Sequence, residues 1–279
     1  MRTKFIILLL FMAINIIAQV ELPRLSPNAS VSQTVGLTSI TINYCRPAVH
    51  GRNIWGGLVP FNKVWRTGAN EATTIQFTTD VTIEGNKVPA GKYSLFTIPT
   101  ETEWTIILNK VDKQWGAYNY KQESDLLRFS VKPKQGSLVE NLCFSVDNVA
   151  NSSASIVMRW ENLEVAFKVE VDLASQVYAK IKEAFAAKPD SWQNYTQAAN
   201  YAAENNLYGD EPFDWIEKAI SLNGGYFPYF VKAKLYNKNN KTTDALKALD
   251  KCREIGRTDK NWDSFVSQVD FLEKQIKSK

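Results

Sequence analysis

Residues 163–187, LEVAFKVEVDLASQVYAKIKEAFAA, contain the one point where the periodicity of the chain changes. The first part of this stretch alternates apolar and polar residues, which is typical of a half-buried strand. The second part repeats apolar residues every three or four positions, with Val177 and Ile181 on one helical face. We therefore predict a strand-rich domain over 19–171 and a helical region over 172–279.

The strand-rich domain consists of short segments with period two that are rich in β-branched and aromatic residues. The predicted strands are 39–44, 73–78, 81–84, 93–98, 104–108, 127–131, 142–146, 156–160 and 163–171. No helical pattern separates them, so they should pair antiparallel and form a jelly-roll-like β-sandwich. Gly85 predicts a hairpin turn within 84–87. The expected fold class is α+β multidomain, with the β-sandwich first and the helices last.

The helical region shows six apolar stripes, and two of them belong to an internal repeat. Trp215–Ile220 and Ala245–Leu249 have similar patterns offset by 30 residues. Helical hairpins that repeat about every 34 residues stack into tetratricopeptide arrays. The region therefore resembles a pair of tetratricopeptide hairpins, and a compact helical bundle is the alternative. The stripes lie at 177–185, 192–202, 213–220, 229–236, 245–252 and 265–276.

The N-terminus has the order of features that marks a secretory signal peptide. Arg2 and Lys4 precede an almost purely apolar run over 5–17, and the small residue Ala18 follows. The run is shorter than the roughly 20 residues that span a bilayer. We predict that residues 1–18 are removed and that the protein is exported, either to the periplasm or out of the cell. No later segment is apolar enough to predict a membrane span.

Charge and cysteine content exclude two classes of protein. Removal of residues 1–18 lowers the formal net charge from +4 to +2, and no basic stripe follows, so no nucleic-acid partner is expected. The three cysteines, Cys45, Cys143 and Cys252, are too few for a disulfide-built scaffold, and their odd number prevents complete pairing. Pairing of Cys45 with Cys143 stays open, and Cys252 is expected to lie buried on a helix.

The stretch Tyr44–Thr74 is the best candidate for a ligand site. It reads YCRPAVHGRNIWGGLVPFNKVWRTGANEATT and sets three arginines among tryptophans, prolines and glycines. Guanidinium groups bind carboxylates and phosphates, and aromatic walls with a few polar groups are typical of small-ligand pockets. The candidate ligand-binding residues are Arg46, Arg52, Trp65, Arg66, Asn70 and Glu71. They predict a small anionic or sugar-like ligand.

One alternative for this stretch is a purely structural role. An irregular connection has many backbone groups to satisfy, and arginine supplies five donors. On this interpretation Arg66 and Glu71 pair with each other and tie the connection to the sandwich. Function would then belong to the helices, which are also the predicted contact surface for a protein partner.

A second alternative is a hydrolase that acts on envelope glycans or esters. Glu71 could act with Asp125 or Glu123 as a pair of carboxylates. Cys45 could instead act as a nucleophile with His50 as its base. His50 is the only histidine and no glycine-rich phosphate loop is present, so neither a metal site nor a cofactor is expected.

The tryptophans of the β-domain carry two different predictions. Trp104, Trp115 and Trp160 lie in or beside strands, and core positions are expected for them rather than a sugar platform. The segment 114–120, QWGAYNY, is an exception because it lies between predicted strands. It could form an aromatic rim beside the arginine-rich stretch.

Several motifs together resemble a bacterial family, the domain of unknown function 2911, over about 26–171. The motifs are Ser26–Pro27, Tyr44–Pro47, Gly51–Arg52, Leu58–Pro60, Val64–Thr73, Pro89–Leu95, Trp104–Ile106 and Trp115–Gly116. The resemblance implies an exported β-sandwich, in some members followed by helical repeats, and it implies no activity. The family more often has serine where this chain has Cys45, which argues against a shared nucleophile. The leading hypothesis is a non-catalytic binding or interaction module.

Overall fold

The computed structural model describes residues 22–278, so the predicted signal peptide lies outside the described part. Within this part, ten β-strands precede six α-helices. The strands are β1 (Asn28–Val35), β2 (Thr38–Cys45), β3 (Thr74–Phe77), β4 (Val81–Ile83), β5 (Asn86–Val88), β6 (Gly91–Pro99), β7 (Trp104–Asn109), β8 (Asp125–Val131), β9 (Lys134–Asp147) and β10 (Ser153–Glu170). A short 3₁₀ turn, Gln122–Ser124, leads into β8.

The ten strands form two sheets. The first has the order β1-β2-β3-β6-β7-β8, and the second has the order β5-β4-β10-β9. Neighbours run antiparallel in both sheets, as β6 does with β7 and β9 with β10. The prediction of an antiparallel β-domain followed by a helical region is therefore confirmed.

Apolar side chains join the two sheets face to face. The rings of Tyr44 on β2 and Phe144 on β9 lie 4.9 Å apart, and those of Phe129 on β8 and Phe167 on β10 lie 5.6 Å apart. Inner positions alternate with partly exposed ones along β2. Burial of each large apolar side chain is worth about 1.5–3 kcal/mol, so this alternation stabilises the layered arrangement.

Residues 46–73, here called the connecting segment, join both sheets. After β2 the chain follows the outer edge of β9, where the Leu142 N–H donates to the Pro47 carbonyl at 3.0 Å. It then returns to the first sheet, where Trp65 and Thr97 of β6 exchange two backbone hydrogen bonds of 2.7 and 2.9 Å. The segment is irregular because its backbone pairs with β9 of the second sheet near its start and with β6 of the first sheet farther along.

The strands predicted at 156–160 and 163–171 are one continuous strand, β10. Its register against β9 shifts on both sides of Glu161, which has a positive φ of 51°. A bulge of this kind inserts an extra residue and reverses the in–out alternation. The sequence pattern therefore indicated two strands.

Three edge strands were missed or shortened by the sequence prediction. β1 and β5 were not predicted, and β9 begins well before the predicted 142–146. Along β1 exposed positions alternate with partly buried ones and only Val35 is fully buried, whereas the first half of β9 is mostly exposed. Edge strands need no apolar alternation on their solvated faces, so the sequence signal is weak there.

The six predicted helices are all present. They are α1 (Leu173–Ala187), α2 (Trp192–Asn205), α3 (Glu211–Ser221), α4 (Phe227–Lys238), α5 (Thr242–Gly256) and α6 (Trp262–Lys277). The side chain of Ser191 accepts from the Asn194 N–H at 3.3 Å and caps α2. Cys252 is buried on α5, as expected.

The helices pack as successive hairpins. α2 packs on α3 and α4 packs on α5, and α4 also packs on α2 and α6. Two apolar cores result, one around Ile216 and one around Leu249, both fully buried. This arrangement is consistent with a tetratricopeptide-like region. None of the helices within 22–278 is long and apolar enough to cross a membrane.

The described residues divide into two compact units. One comprises 22–34 with 38–169, and the other comprises 35–37 with 170–278. They are called the β-domain and the helical unit below. The division lies close to the change of periodicity in the sequence.

The hydroxyl of Tyr44 gives a test of how the connecting segment is anchored. This buried hydroxyl accepts from the Phe144 N–H at 3.1 Å, on the edge of β9 that faces away from β10. Tyr44→Phe should leave that N–H unpaired and lower the free energy of unfolding by about 1–3 kcal/mol. Urea unfolding followed by near-ultraviolet circular dichroism would measure the loss.

Tyr118→Phe is the matched control, because Tyr118 is 82% exposed. It removes the same atom and should change stability by less than about 0.5 kcal/mol. Equal stabilities of the two variants would show that the Tyr44 hydroxyl does not anchor the edge of β9.

Candidate functional site

Four tryptophans pack together beneath the connecting segment. The Trp55 ring lies edge-on to Trp104 at 4.9 Å and to Trp160 at 5.7 Å. Trp65 stacks on Trp160 at 5.9 Å with an interplanar angle of 18°. Trp104 belongs to the first sheet and Trp160 to the second, so this tryptophan cluster fixes the segment against both. The predicted core positions of Trp104 and Trp160 are confirmed, with exposures of 0% and 1%.

The end of the connecting segment folds back on itself. The Thr73 N–H donates to the Arg66 carbonyl at 3.1 Å, and the Thr73 hydroxyl donates to the Thr67 carbonyl at 2.7 Å. The Trp65 indole N–H donates to the Gly68 carbonyl at 3.1 Å. Added at Gly68, a Cβ would lie 3.0 Å from the Thr73 hydroxyl, so a larger residue there would push the turn slightly open.

Two residues of this turn have a left-handed backbone, Thr67 and Asn70, each with a φ of 55°. That conformation is rare for a β-branched residue and costs on the order of 1–3 kcal/mol. The Thr67 hydroxyl bonds to the Thr97 hydroxyl at 3.2 Å, which helps to hold the conformation. Backbone strain of this kind tends to occur at functional sites.

A cavity of about 510 Å³, here called the arginine cavity, lies beside the tryptophan cluster. Among the residues that line it are Arg24, Arg52, Trp65, Arg66, Asn70, Trp115 and Trp160. No aspartate or glutamate of the described residues lines it. The structure therefore brings together four of the six predicted site residues and adds Arg24.

Arg66 is the least compensated of these arginines. Its side chain is half-buried, and its buried Nε has no hydrogen-bond partner. No ion pair or hydrogen bond to its guanidinium is found within 22–278. The indole N–H of Trp160, on the same cavity wall, is likewise buried without an acceptor. Such groups usually find a partner in a protein, an ordered water or a bound ion.

Arg46 and Arg52 bind backbone carbonyls. The Arg46 Nε donates to the Leu142 carbonyl at 3.0 Å, and Arg46 does not line the arginine cavity. The Arg52 Nε donates to the Val49 carbonyl at 3.0 Å, and its Nη2 donates to the Ala48 carbonyl. These contacts are structural, and only Arg52 combines them with a place on the cavity wall.

Glu71 pairs with Arg24 rather than with Arg66. The two side chains are about half exposed, and Arg24 Nη1 lies 2.7 and 2.9 Å from the two carboxylate oxygens. This hydrogen bond holds the pKa of the Glu71 carboxyl below its usual range. The Arg66–Glu71 pair of the structural alternative is therefore absent. Asn70 binds the Ser26 carbonyl at 3.2 Å through its side-chain amide.

Cys45 lies buried behind this ion pair. Its thiol donates to Asn28 Oδ1 at 3.0 Å and approaches Glu71 Oε2 at 3.5 Å. Burial is the main cause that raises the pKa of the Cys45 thiol, and the adjacent Glu71 carboxylate adds to it. All three cysteines are free thiols, so Cys45 and Cys143 are not paired.

The residues of the hydrolase alternative do not converge. His50 lies 3.9 Å from Glu140, and the Cys45 thiol bonds to Asn28 instead. Asp125 accepts from the hydroxyl of Tyr120 and from Arg128, each at 2.6 Å. Glu71 and Asp125, two of the three carboxylates considered, are thus engaged with separate arginines. No cluster of three or more metal-ligating side chains occurs within 22–278.

A second cavity of about 670 Å³, here called the polar cavity, adjoins this ion pair. Glu71 lines the polar cavity whereas Arg24 lines the arginine cavity, and Trp115 lines both. Trp115 is 57% exposed, so the predicted core position for it is wrong. Its backbone pairs with Glu71 in a β-bridge, which carries the 114–120 segment to the end of the connecting segment.

The aromatic residues of 114–120 divide between two environments. Tyr118 is exposed and shares a surface depression with Arg66. Tyr120 turns away and packs on Phe96 at 5.2 Å. Trp115 and Tyr118 therefore lie at the surface beside the arginine-rich stretch, as the rim hypothesis required, whereas Tyr120 packs inward on the apolar cluster that contains Ala72.

Sequence reasoning missed Arg24 and the wall position of Trp160. Arg24 lies just before β1 in a segment without periodicity, and it meets Glu71 across 47 residues. No local sequence pattern predicts a contact between residues so far apart in the chain. The one local feature that marks Trp160 is the bulge directly after it in β10, because a bulge changes the direction of neighbouring side chains.

Comparison with known proteins assigns residues 26–169 to one family model. The description of this family is "Protein of unknown function (DUF2911)". The match covers the β-domain from just before β1 almost to the end of β10. No curated protein and no solved structure shows significant similarity to the chain.

The raised pKa of the Cys45 thiol gives a test of its reactivity. At neutral pH Cys45 should react with N-ethylmaleimide more slowly than an unstructured cysteine peptide does, because the thiolate is the reactive species. Glu71→Gln should accelerate the reaction, since it removes a negative charge beside the sulfur. Peptide-level mass spectrometry would measure the modification of Cys45 against time. Labelling faster than that of the peptide would instead identify an activated nucleophile and restore the hydrolase alternative.

Proposed function

The chain belongs to the DUF2911 family of proteins of unknown function, and we propose that its β-domain is a non-catalytic binding module for a small organic anion. The ligand occupies the arginine cavity, and its anionic group faces Arg66. Arg24, Arg52 and Asn70 complete the polar wall, and Trp65 and Trp160 form the apolar wall.

The observation that carries this proposal is the uncompensated guanidinium of Arg66. A half-buried charge without a partner is costly, and an anion in the cavity would supply the missing counter-charge. The unpaired groups nearby, Arg66 Nε and the Trp160 indole N–H, are both donors. A site with unpaired donors and no acidic side chain selects an anion over a cation.

The size and composition of the cavity support the same conclusion. Its volume of about 510 Å³ falls within the roughly 300–1,000 Å³ of small-molecule sites. Aromatic walls with a few charged groups give both apolar contact and orientation. Arginine additionally allows two parallel hydrogen bonds to a carboxylate or a phosphate.

Binding is favoured over catalysis by the state of Cys45 and Glu71. The thiol is buried with a raised pKa, and the carboxylate is tied to Arg24. Neither group is placed as an activated nucleophile or base. The structural alternative accounts for Arg46 but leaves the unpaired guanidinium of Arg66 unexplained.

Export and a protein contact complete the proposal. The charged and apolar N-terminal segment supports export of the chain before it acts. Mass spectrometry of the protein recovered outside the cytoplasm should then show a new N-terminus near residue 19.

The stacked hairpins of the helical unit, with Phe271 64% exposed beside Phe230, support a protein contact through the helices.

Arg66→Gln should separate ligand binding from stability. In the wild type, acetate, sulfate or phosphate should raise the melting temperature, because a ligand that binds only the native state stabilises it. Arg66→Gln should weaken that binding about ten-fold or more, as expected for the loss of a charged hydrogen bond. The melting temperature without ligand should not fall, since the Arg66 side chain has no partner to lose among residues 22–278. Thermal unfolding across the anion series measures both effects.

Arg46→Gln is the matched control because Arg46 binds a backbone carbonyl outside the cavity. It should lower the melting temperature yet keep the rise caused by the anion. The proposal is wrong if no anion stabilises the wild type, or if Arg66→Gln destabilises the protein and leaves the anion effect intact.

A further inference from the structure

We propose that the ligand is a sugar acid, with its carboxylate in the arginine cavity and its hydroxylated ring in the polar cavity. This inference rests on the proposed function and extends it to the chemical class of the ligand. It depends on features that an anion site alone does not require, namely an exposed aromatic platform and a second, charge-balanced cavity beside it.

The platform is Trp115, which lines both cavities and is 57% exposed. It is exposed although its backbone is firmly held. The Ala72 N–H donates to the Gln114 carbonyl at 2.9 Å, and the Gly116 N–H donates to the Asn70 carbonyl at 2.9 Å. A large aromatic ring held in solvent at the mouth of two cavities is suited to stack on the apolar face of a sugar ring.

The polar cavity has the composition that hydroxyl groups need. Its charged lining residues are two acids and two lysines, Glu71, Asp112, Lys92 and Lys113, so it favours neither anions nor cations. The amide of Gln114 adds a buried oxygen that has no donor. Donors and acceptors of both kinds in one cavity match the mixed donor and acceptor character of sugar hydroxyls.

The boundary between the two cavities determines which part of the ligand lies in which cavity. The Arg24–Glu71 ion pair contributes its cation to the arginine cavity and its anion to the polar cavity. A carboxylate is therefore attracted to one side of the pair, and hydroxyl donors are attracted to the other. Trp115 spans this boundary, so a ring that stacks on it reaches both cavities at once.

Isothermal titration calorimetry of the full chain with acetate, glucuronate and glucose tests the inference. Glucuronate should bind about ten-fold more tightly than acetate, which is a modest gain for one stacked ring. Glucose should bind weakly, because it lacks the carboxylate. Asn43→Ala should weaken glucuronate but not acetate, since Asn43 lines the polar cavity alone. Trp115→Ala should also reduce the preference for glucuronate.

Phe271→Ala is the control, because it removes an exposed aromatic ring from the helical unit and should change no affinity. Equal binding of acetate and glucuronate would overturn the sugar-acid inference and leave the anion site standing. A glucuronate preference that survives both Asn43→Ala and Trp115→Ala would overturn it as well. Failure of all anions to bind would instead overturn the proposed function itself.

Discussion

Four indole rings, those of Trp55, Trp65, Trp104 and Trp160, pack together where the two sheets of the β-domain meet. Each buried aromatic ring removes about 150–250 Å² of surface from water. This burial stabilises the position of an irregular loop more than its backbone hydrogen bonds do. The connecting segment owes its fixed position to this packing. Because the segment also pairs with β6 and with the edge of β9, both sheets hold the part of the cavity wall that it forms.

The arginines of this segment are alike in sequence and different in role. Arg46 is engaged by a backbone carbonyl at 3.0 Å and acts as a strut of the fold. Arg66 lines the arginine cavity and has no counter-charge within the described residues. A guanidinium can satisfy backbone carbonyls or recruit an anion, and its neighbours decide which. The segment can therefore combine two roles: Arg46 stabilises the fold, and Arg66 is available to the proposed ligand.

The ion pair of Arg24 with Glu71 has a further consequence for the chemistry of the domain. It lowers the pKa of the Glu71 carboxyl and keeps a negative charge beside the buried Cys45 thiol. A negative charge and burial both disfavour the thiolate. The same pair separates two cavities of different electrostatic character. A single long-range contact thus disfavours the Cys45 thiolate and lies between two adjoining cavities.

The sequence by itself determined the two-part organisation, most strands and all six helices, because periodicity is a local property that each segment carries. It also located the arginine-rich stretch, since glycine, proline and aromatic composition is visible without a structure. It failed at the edge strands β1, β5 and β9, where few positions are fully buried, and at Trp115, whose neighbourhood resembles a strand end. The tertiary structure alone decided that Arg24 reaches Glu71, that Trp160 forms part of a cavity wall and that Arg66 has no partner among residues 22–278. Those outcomes depend on contacts between residues far apart in the chain, and no local pattern encodes such contacts.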